Sequence, residues 1–277
     1  MEINKHVCFR MDESPKLLAY LIEHNIEFQP GEIISCVDIY ESNPHWEYIS
    51  MWVRQEKLLC RSETEFTKQE LENAEWLTMR SQWRFGYPQP EGNFEYENIT
   101  YTRRNYCPEC SSGLVQVNPF RIKKVPKWGR RHFAELNWIG DELFVSDTAK
   151  SILESHNISG ISFMGVQDKA GKEFFSDISQ LIIHNIIEEG LFESKASIRQ
   201  INSCPNCGIT KYVPSGIGML AFRKEIFDNQ ADIVKTGDLF GSDHYAAKVI
   251  IVRQSVYQMI LQNNLERGLV FEPIELL

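Results

Sequence analysis

Cys107-Pro108-Glu109-Cys110 and Cys204-Pro205-Asn206-Cys207-Gly208 are two cysteine knuckles, and whether they meet decides the fold. Each holds two thiols at the x2 spacing that lets one tight turn aim both sulfurs at a single tetrahedral ion. So sharp a turn favours Pro, which presets one φ angle, and Gly, which relaxes another. The second knuckle has both residues, whereas the first is followed by Ser111 and Ser112 with Gly113 arriving late. Two knuckles make one four-cysteine site, so Cys107, Cys110, Cys204 and Cys207 are the expected ligands of one structural zinc. A redox dithiol is the competing reading, but a thioredoxin-type site needs only one CxxC, opening a helix after a strand. Cys8, Cys36 and Cys60 lack such partners and read as buried free thiols. That usage suits a reduced, cytoplasmic protein.

The chain has 277 residues, 43% of them apolar and 12% aromatic, enough for a substantial core. Met1–His6 carries no apolar targeting run, and eighteen uninterrupted apolar residues occur nowhere, so no membrane partner is expected. The net charge of −9 disfavours nucleic-acid binding by the surface as a whole. Between Ser111 and Ala134, however, no acid occurs, while Arg121, Lys123, Lys124, Lys127, Arg130 and Arg131 form a basic strip. Such a strip beside a zinc site is what a nucleic-acid reader uses. It is equally what a solvated loop, or a patch docked on the chain's own acids, looks like.

Spacing and turn residues predict strands at 7–11, 32–40 and 47–54, with helices starting at Ser14-Pro15 and after Thr67, the latter over 68–81 with Glu70 completing a capping box. Further on, strands are expected at 114–117, 142–145, 161–164, 189–202, 249–252 and 269–271. Helices are expected from Ser146 or Asp147 to His156, at 174–186, at 220–228 and at 255–264. Strand, helix, Asn, Gly and strand follow one another twice, from Leu143 and from Ile250, at an offset of 107 to 109 residues. A fainter third copy runs from Val7 through Ser14 and Asn25 to Pro30. These patterns predict an α+β fold of mixed short strands and helices. Residues 1–105 form an N-terminal α+β region, and 106–277 a duplicated strand-helix-strand unit stapled by a four-cysteine, zinc ribbon-like site.

No HExxH, Walker, GxGxxG or GxSxG pattern occurs. His132, His156, His184 and His244 are scattered and read as satisfied structural histidines, the Asp243-His244 pair included. Four cysteines fill the coordination of zinc and leave no position for a catalytic water.

The two knuckles, the strand–Ser–helix–Gly–Phe-x-x-Val segment around 143–166 and the ending Phe271-Glu272-Pro273-Ile274 resemble the bacterial double-CxxCG motif proteins and related immunity proteins of polymorphic toxin systems. The resemblance covers about 106–277. It implies a non-catalytic, zinc-containing cytoplasmic protein that binds and neutralises a cognate toxin. An acidic surface suits a basic toxin through long-range steering. Two other readings stand beside it: a zinc-ribbon adaptor binding nucleic acid through Arg121–Arg131, and an enzyme of unrecognised class using the aromatic loop 83–90.

Overall fold

In the computed structural model, which describes residues 1–193, 197–242 and 246–277, the chain falls into two units. One is Met1–Glu70 with Ser215–Gly218, the other Leu71–Pro214 with Met219–Leu277. The division lies earlier than the boundary after residue 105 expected from the sequence, because residues from Leu71 onward already belong to the second unit. Among the described residues no helix is long and apolar enough to cross a membrane.

The first unit comprises β1 (Glu2–Phe9), α1 (Pro15–Glu23), β2 (Ser35–Tyr40), α2 (Trp46–Gln55) and β3 (Leu59–Glu65). Its sheet runs β2-β1-β3, with both outer strands antiparallel to β1. Val7, Phe9, Val37 and Ile39 alternate onto one face and bury against Leu17 and Leu21 of α1 and Ile49 of α2. Each aliphatic side chain so buried contributes roughly 1.5–3 kcal/mol. Residues 47–54 form α2 and not the expected strand: Ile49, Trp52 and Val53 meet the core at helical spacing, and that period prevails once one face is covered. Cys8 and Cys36, expected as free thiols, are directly opposed across β1 and β2 and joined as a disulfide. Cys60 remains free. Pro15 opens α1 as expected, although the Ser14 side chain makes no capping bond. Thr67 and Glu70 do form the reciprocal capping box, with bonds of 2.8 and 3.2 Å. The helix they start, α3 (Lys68–Asn73), is short.

The second unit begins with β4 (Trp76–Ser81), a strand where the sequence predicts continued helix. Four consecutive buried residues, Trp76 to Met79, erase the periodicity that separates the two states. It continues with α4 (Tyr96–Thr100), β5 (Tyr101–Thr102), β6 (Val115–Gln116), β7 (Arg121–Ile122), β8 (Phe133–Ala134), β9 (Leu143–Ser146), α5 (Asp147–Ser155) and β10 (Ile161–Asp168). Then follow β11 (Phe174–Ile183), β12 (Ile198–Ser203), β13 (Thr210–Pro214), β14 (Ala221–Phe222), β15 (Ile233–Phe240), β16 (Ala247–Arg253), α6 (Gln254–Gln262), β17 (Leu269–Pro273) and β18 (Glu275–Leu276). Residues 174–186, expected as a helix, are strand β11. Its Phe174, Ile178 and Leu181 mimic helical spacing, yet the chain is extended: Ile178 and Gln180 are buried on one face, and Leu181 and Ile183 on the other. The expected helix 220–228 is reduced to the 3₁₀ turn Lys224–Phe227 after β14.

Strand order reveals the duplication in full. One sheet runs β7-β10-β11-β9-β8 and the other β12-β13-β15-β16-β4-β17. In the first, β11 lies between β9 and β10, antiparallel to both; in the second, β4 lies between β16 and β17 in the same way. The registers agree position by position: Gln180 faces Phe144 and Met164, as Thr78 faces Ile251 and Glu272. Past the sheets each middle strand returns to its own repeat. Phe85 N–H donates to the Glu135 carbonyl, and Ile187 N–H donates to that of Lys235, both at 2.9 Å. The parallel pair β7–β10 likewise has its counterpart in β14–β18. One copy therefore runs from β4 to β10 and the other from β11 to β18, and each lends its first strand to the other's strand-helix-strand frame. The repeat begins well before residue 106 because its opening strand lies in the partner repeat's sheet.

A single core seals the exchange: Leu77 and Met79 of β4 pack with Leu143, Val145, Leu181, Ile183, Val252 and Ile260. Helices α1, α2, α5 and α6 all stop alike. Asn25, Lys57, Asn157 and Asn264 take φ of 52°, 53°, 51° and 56°. The next residue then donates back to the last turn, as Ile158 does to Leu153 and Leu265 to Ile260. This is the Schellman stop, with an apolar contact sealing it. The third copy read at 7–30 shares this stop but not the topology, since β1 and β2 are antiparallel neighbours. The matching frame in the first unit is β2-α2-β3 around β1.

A four-cysteine candidate metal centre

Each knuckle sits at the tip of a short antiparallel pair, β5–β6 for the first and β12–β13 for the second. In the first, Cys107 N–H donates to the Ser112 carbonyl and Ser111 N–H to that of Cys107, at 2.8 and 2.7 Å. In the second, Cys204 N–H donates to Ile209 and Gly208 N–H to Cys204, both at 2.9 Å. The residue after the second cysteine must turn left-handed. Gly208 does so at φ 76° without strain, and Ser111 does so at φ 58° despite its side chain. The Tyr106 hydroxyl lies 3.2 Å from the Ser111 hydroxyl. At Gly113 (φ 95°) a Cβ would overlap the Asn105 carbonyl oxygen, which explains a glycine two residues late.

The duplication brings equivalent sulfurs face to face. Cys107 and Cys204, 97 residues apart, have Sγ atoms 3.8 Å from one another, and those of Cys110 and Cys207 are 3.5 Å apart. All four sulfurs lie within 4.8 Å of each other. A tetrahedron of metal–sulfur bonds near 2.3 Å has edges of about 3.8 Å, so the donor set and its spacing fit one soft divalent ion. All four cysteines are free of disulfides, with Cys107 and Cys204 buried and Cys207 at the surface. Asn206 donates its side-chain N–H to the Cys107 sulfur at 3.3 Å, and Lys211 donates to the Cys110 carbonyl oxygen. Adjacent thiols cannot all ionise equally without a cation. Cys107 is drawn down to about 6, chiefly by the Asn206 amide. Cys207 is pushed up to about 12: the Ile209 N–H lowers it, but burial and the three neighbouring sulfurs outweigh that.

A polar chain anchors the first knuckle's hairpin to the exchanged strand. Gln116 of β6 and Gln180 of β11 bond reciprocally through their amides at 2.7 and 2.8 Å. Gln180 also donates to Glu142 at 3.0 Å, and Glu142 receives the buried Lys235 ammonium at 2.6 Å. Burial pushes the Glu142 carboxyl up, while Lys235 opposes the shift. Sequence reading missed this chain because its members come from three strands and the residue before β9, spread over both repeats. Only the register of β9 against β11 aligns them.

The basic strip is partly consumed internally. Lys123 pairs with Glu91 at 2.6 Å, the Arg131 guanidinium stacks 5.1 Å over Trp83, and Arg121 packs against the Gly171 turn. Lys124, Lys127 and Arg130 are exposed. The aromatic loop is largely packing, with Trp83 and Phe85 bound into rings around Trp128 and Phe144. His132 bonds to Ser146, the residue that caps α5, and its pKa is lowered by burial. His184 bonds to Ser162, and His156 ends α5. Asp243 and His244 lie outside the described residues. No protein-family model matches this chain, and no curated protein sequence matches it either.

Proposed function

We propose that this protein is a non-catalytic binding protein whose four-cysteine centre holds one structural zinc ion, and that its partner is a cognate toxin of the kind immunity proteins neutralise. The observation that carries the first part is the donor set: four thiolates spaced for a tetrahedron supply every ligand and leave no open position for substrate or water. Such an ion staples two loops and preorganises the surface around them, which lowers the ordering cost of binding. The toxin rests on the resemblance of the knuckles and repeat, and the net charge of −9 favours rapid capture of a basic partner.

Elemental analysis of the purified protein should return one zinc per chain. Mixed with the product of the adjacent reading frame, the protein should form a one-to-one complex and abolish that product's toxicity. The opposing result is salt-sensitive retention on DNA or RNA that disappears when Lys124, Lys127 and Arg130 are neutralised. That result would assign the exposed part of the strip to nucleic acid and overturn the toxin reading.

A further inference from the structure

Two rungs of the β1–β2 ladder carry chemistry on one side of the sheet. His6 pairs with Asp38 and Cys8 with Cys36. Because side chains alternate along a strand, these four share a face while Val7, Phe9, Val37 and Ile39 turn into the core. The His6 Nε2 lies 3.2 Å from the Cys8 sulfur, and its Nδ1 lies 2.7 Å from Asp38 Oδ1. A carboxylate has no proton to give, so Nδ1 carries the hydrogen and Nε2 presents its lone pair to the sulfur. The side chains of His6 and Asp38 are 44% and 43% exposed, within reach of a small molecule. A cross-strand disulfide that only braced β1 on β2 would need neither an imidazole nor a carboxylate behind it. Nucleophile, base and orienting group in series are what thiol–disulfide exchange needs.

We propose that Cys8–Cys36 is a redox-active pair that exchanges with a small thiol–disulfide couple, with Cys8 the attacking sulfur, His6 its proton shuttle and Asp38 the positioning residue. In the dithiol form, Cys8 gives its proton to His6 Nε2, and the thiolate attacks one sulfur of the small disulfide. The Cys8–S bond forms, the small disulfide's S–S bond breaks, and the departing thiolate takes the proton back from the imidazolium. Cys36 then attacks the Cys8 sulfur, closes the protein disulfide and releases the second thiol with the Cys36 proton. Two electrons pass from the protein dithiol to the small disulfide, and the reverse sequence reduces the protein.

The intact 277-residue chain, loaded with zinc and equilibrated with reduced and oxidised glutathione, tests this, with acid quenching, alkylation and mass spectrometry of the peptides bearing Cys8 and Cys36. The pair should interconvert between disulfide and dithiol as the glutathione ratio changes. Reoxidation should slow on the order of tenfold or more in His6→Ala, with added imidazole restoring part of the rate. Cys36→Ser should accumulate a mixed disulfide on Cys8. Asp38→Asn should slow exchange and shift the His6 tautomer seen by nitrogen NMR. His6 lies on the outer face, so its replacement leaves the core intact. A pair that stays oxidised in excess reduced glutathione, or exchanges at the unaltered rate in His6→Ala, overturns the proposal.

Discussion

At the scale of single residues, the two knuckles are a matched experiment in backbone strain. Gly208 and Ser111 hold the same left-handed position, and nothing lies within 4 Å of where a Gly208 side chain would begin. The cost of replacing that glycine is therefore conformational and not steric. Gly208→Val should lower stability by about 1–2 kcal/mol in denaturant melts, and Ser111→Gly should be tolerated or slightly stabilising. Acid should act on the knuckles' cysteines, because ligand sulfurs must be deprotonated to hold a metal. As pH falls, protons compete for the thiolates, so metal affinity drops. A colorimetric chelator should register release on acidification, and full retention at neutral pH. The cysteines and their pairing were legible in the sequence because x2 spacing is a local signal. The Cys8–Cys36 bond was not, because it depends on the register between two strands whose connecting chain says nothing about alignment.

Among the elements, the buried Glu142–Lys235 pair ties the start of β9 to β15, and its partners include the exchanged strand β11. Removing one member leaves the other charged and desolvated. Lys235→Met alone should cost about 3–5 kcal/mol, and adding Glu142→Gln should recover much of it; a thermal-melt double-mutant cycle measures the difference. The turn joining the two repeats offers a pH test. Asp168 accepts the Lys172 N–H at 2.8 Å and the Glu173 N–H at 3.3 Å, and the first of these bonds chiefly holds its carboxyl below the ordinary range. A depressed carboxyl stabilises the fold above the unfolded-state pKa and loses that contribution as pH falls through the folded one. Exchange protection of the Lys172 amide should therefore fade on acidification, and should be weaker throughout in Asp168→Asn. Element type was readable where periodicity was one-sided, as in α1, α5 and α6. It failed at α2, read as a strand, at 220–228, which shortens to a 3₁₀ turn, and at β4 and β11, where buried residues fall on both faces and no longer alternate with exposed ones. Two of these misreadings fall on the exchanged strands, which is why the sequence revealed the repeat's second half and hid its beginning.

Across the whole second unit, the ion would lie where equivalent loops of two interlocked copies meet, so its loss should not be local. Cys107→Ser or Cys204→Ser, like treatment with a strong chelator, should lower the melting temperature of both repeats together, since structural zinc contributes on the order of 10 kcal/mol to a fold of this kind. Hydrogen exchange would show it as a joint loss of protection in β9–β10 and β16–β17. Independent melting of the two halves would contradict the interlocking.

The reciprocal placement of β4 and β11 also limits how this protein can be dissected. A truncation between residues 168 and 174 would leave each fragment with a slot its own remaining strands cannot fill, and with a strand that has nowhere to lie. Such fragments should be insoluble alone and recover when produced together. Two identical fragments can also satisfy each other by the same geometry, placing two like knuckles around a dyad. A half-length gene of this design would then encode a metal-bridged homodimer, with the present chain as its single-chain equivalent.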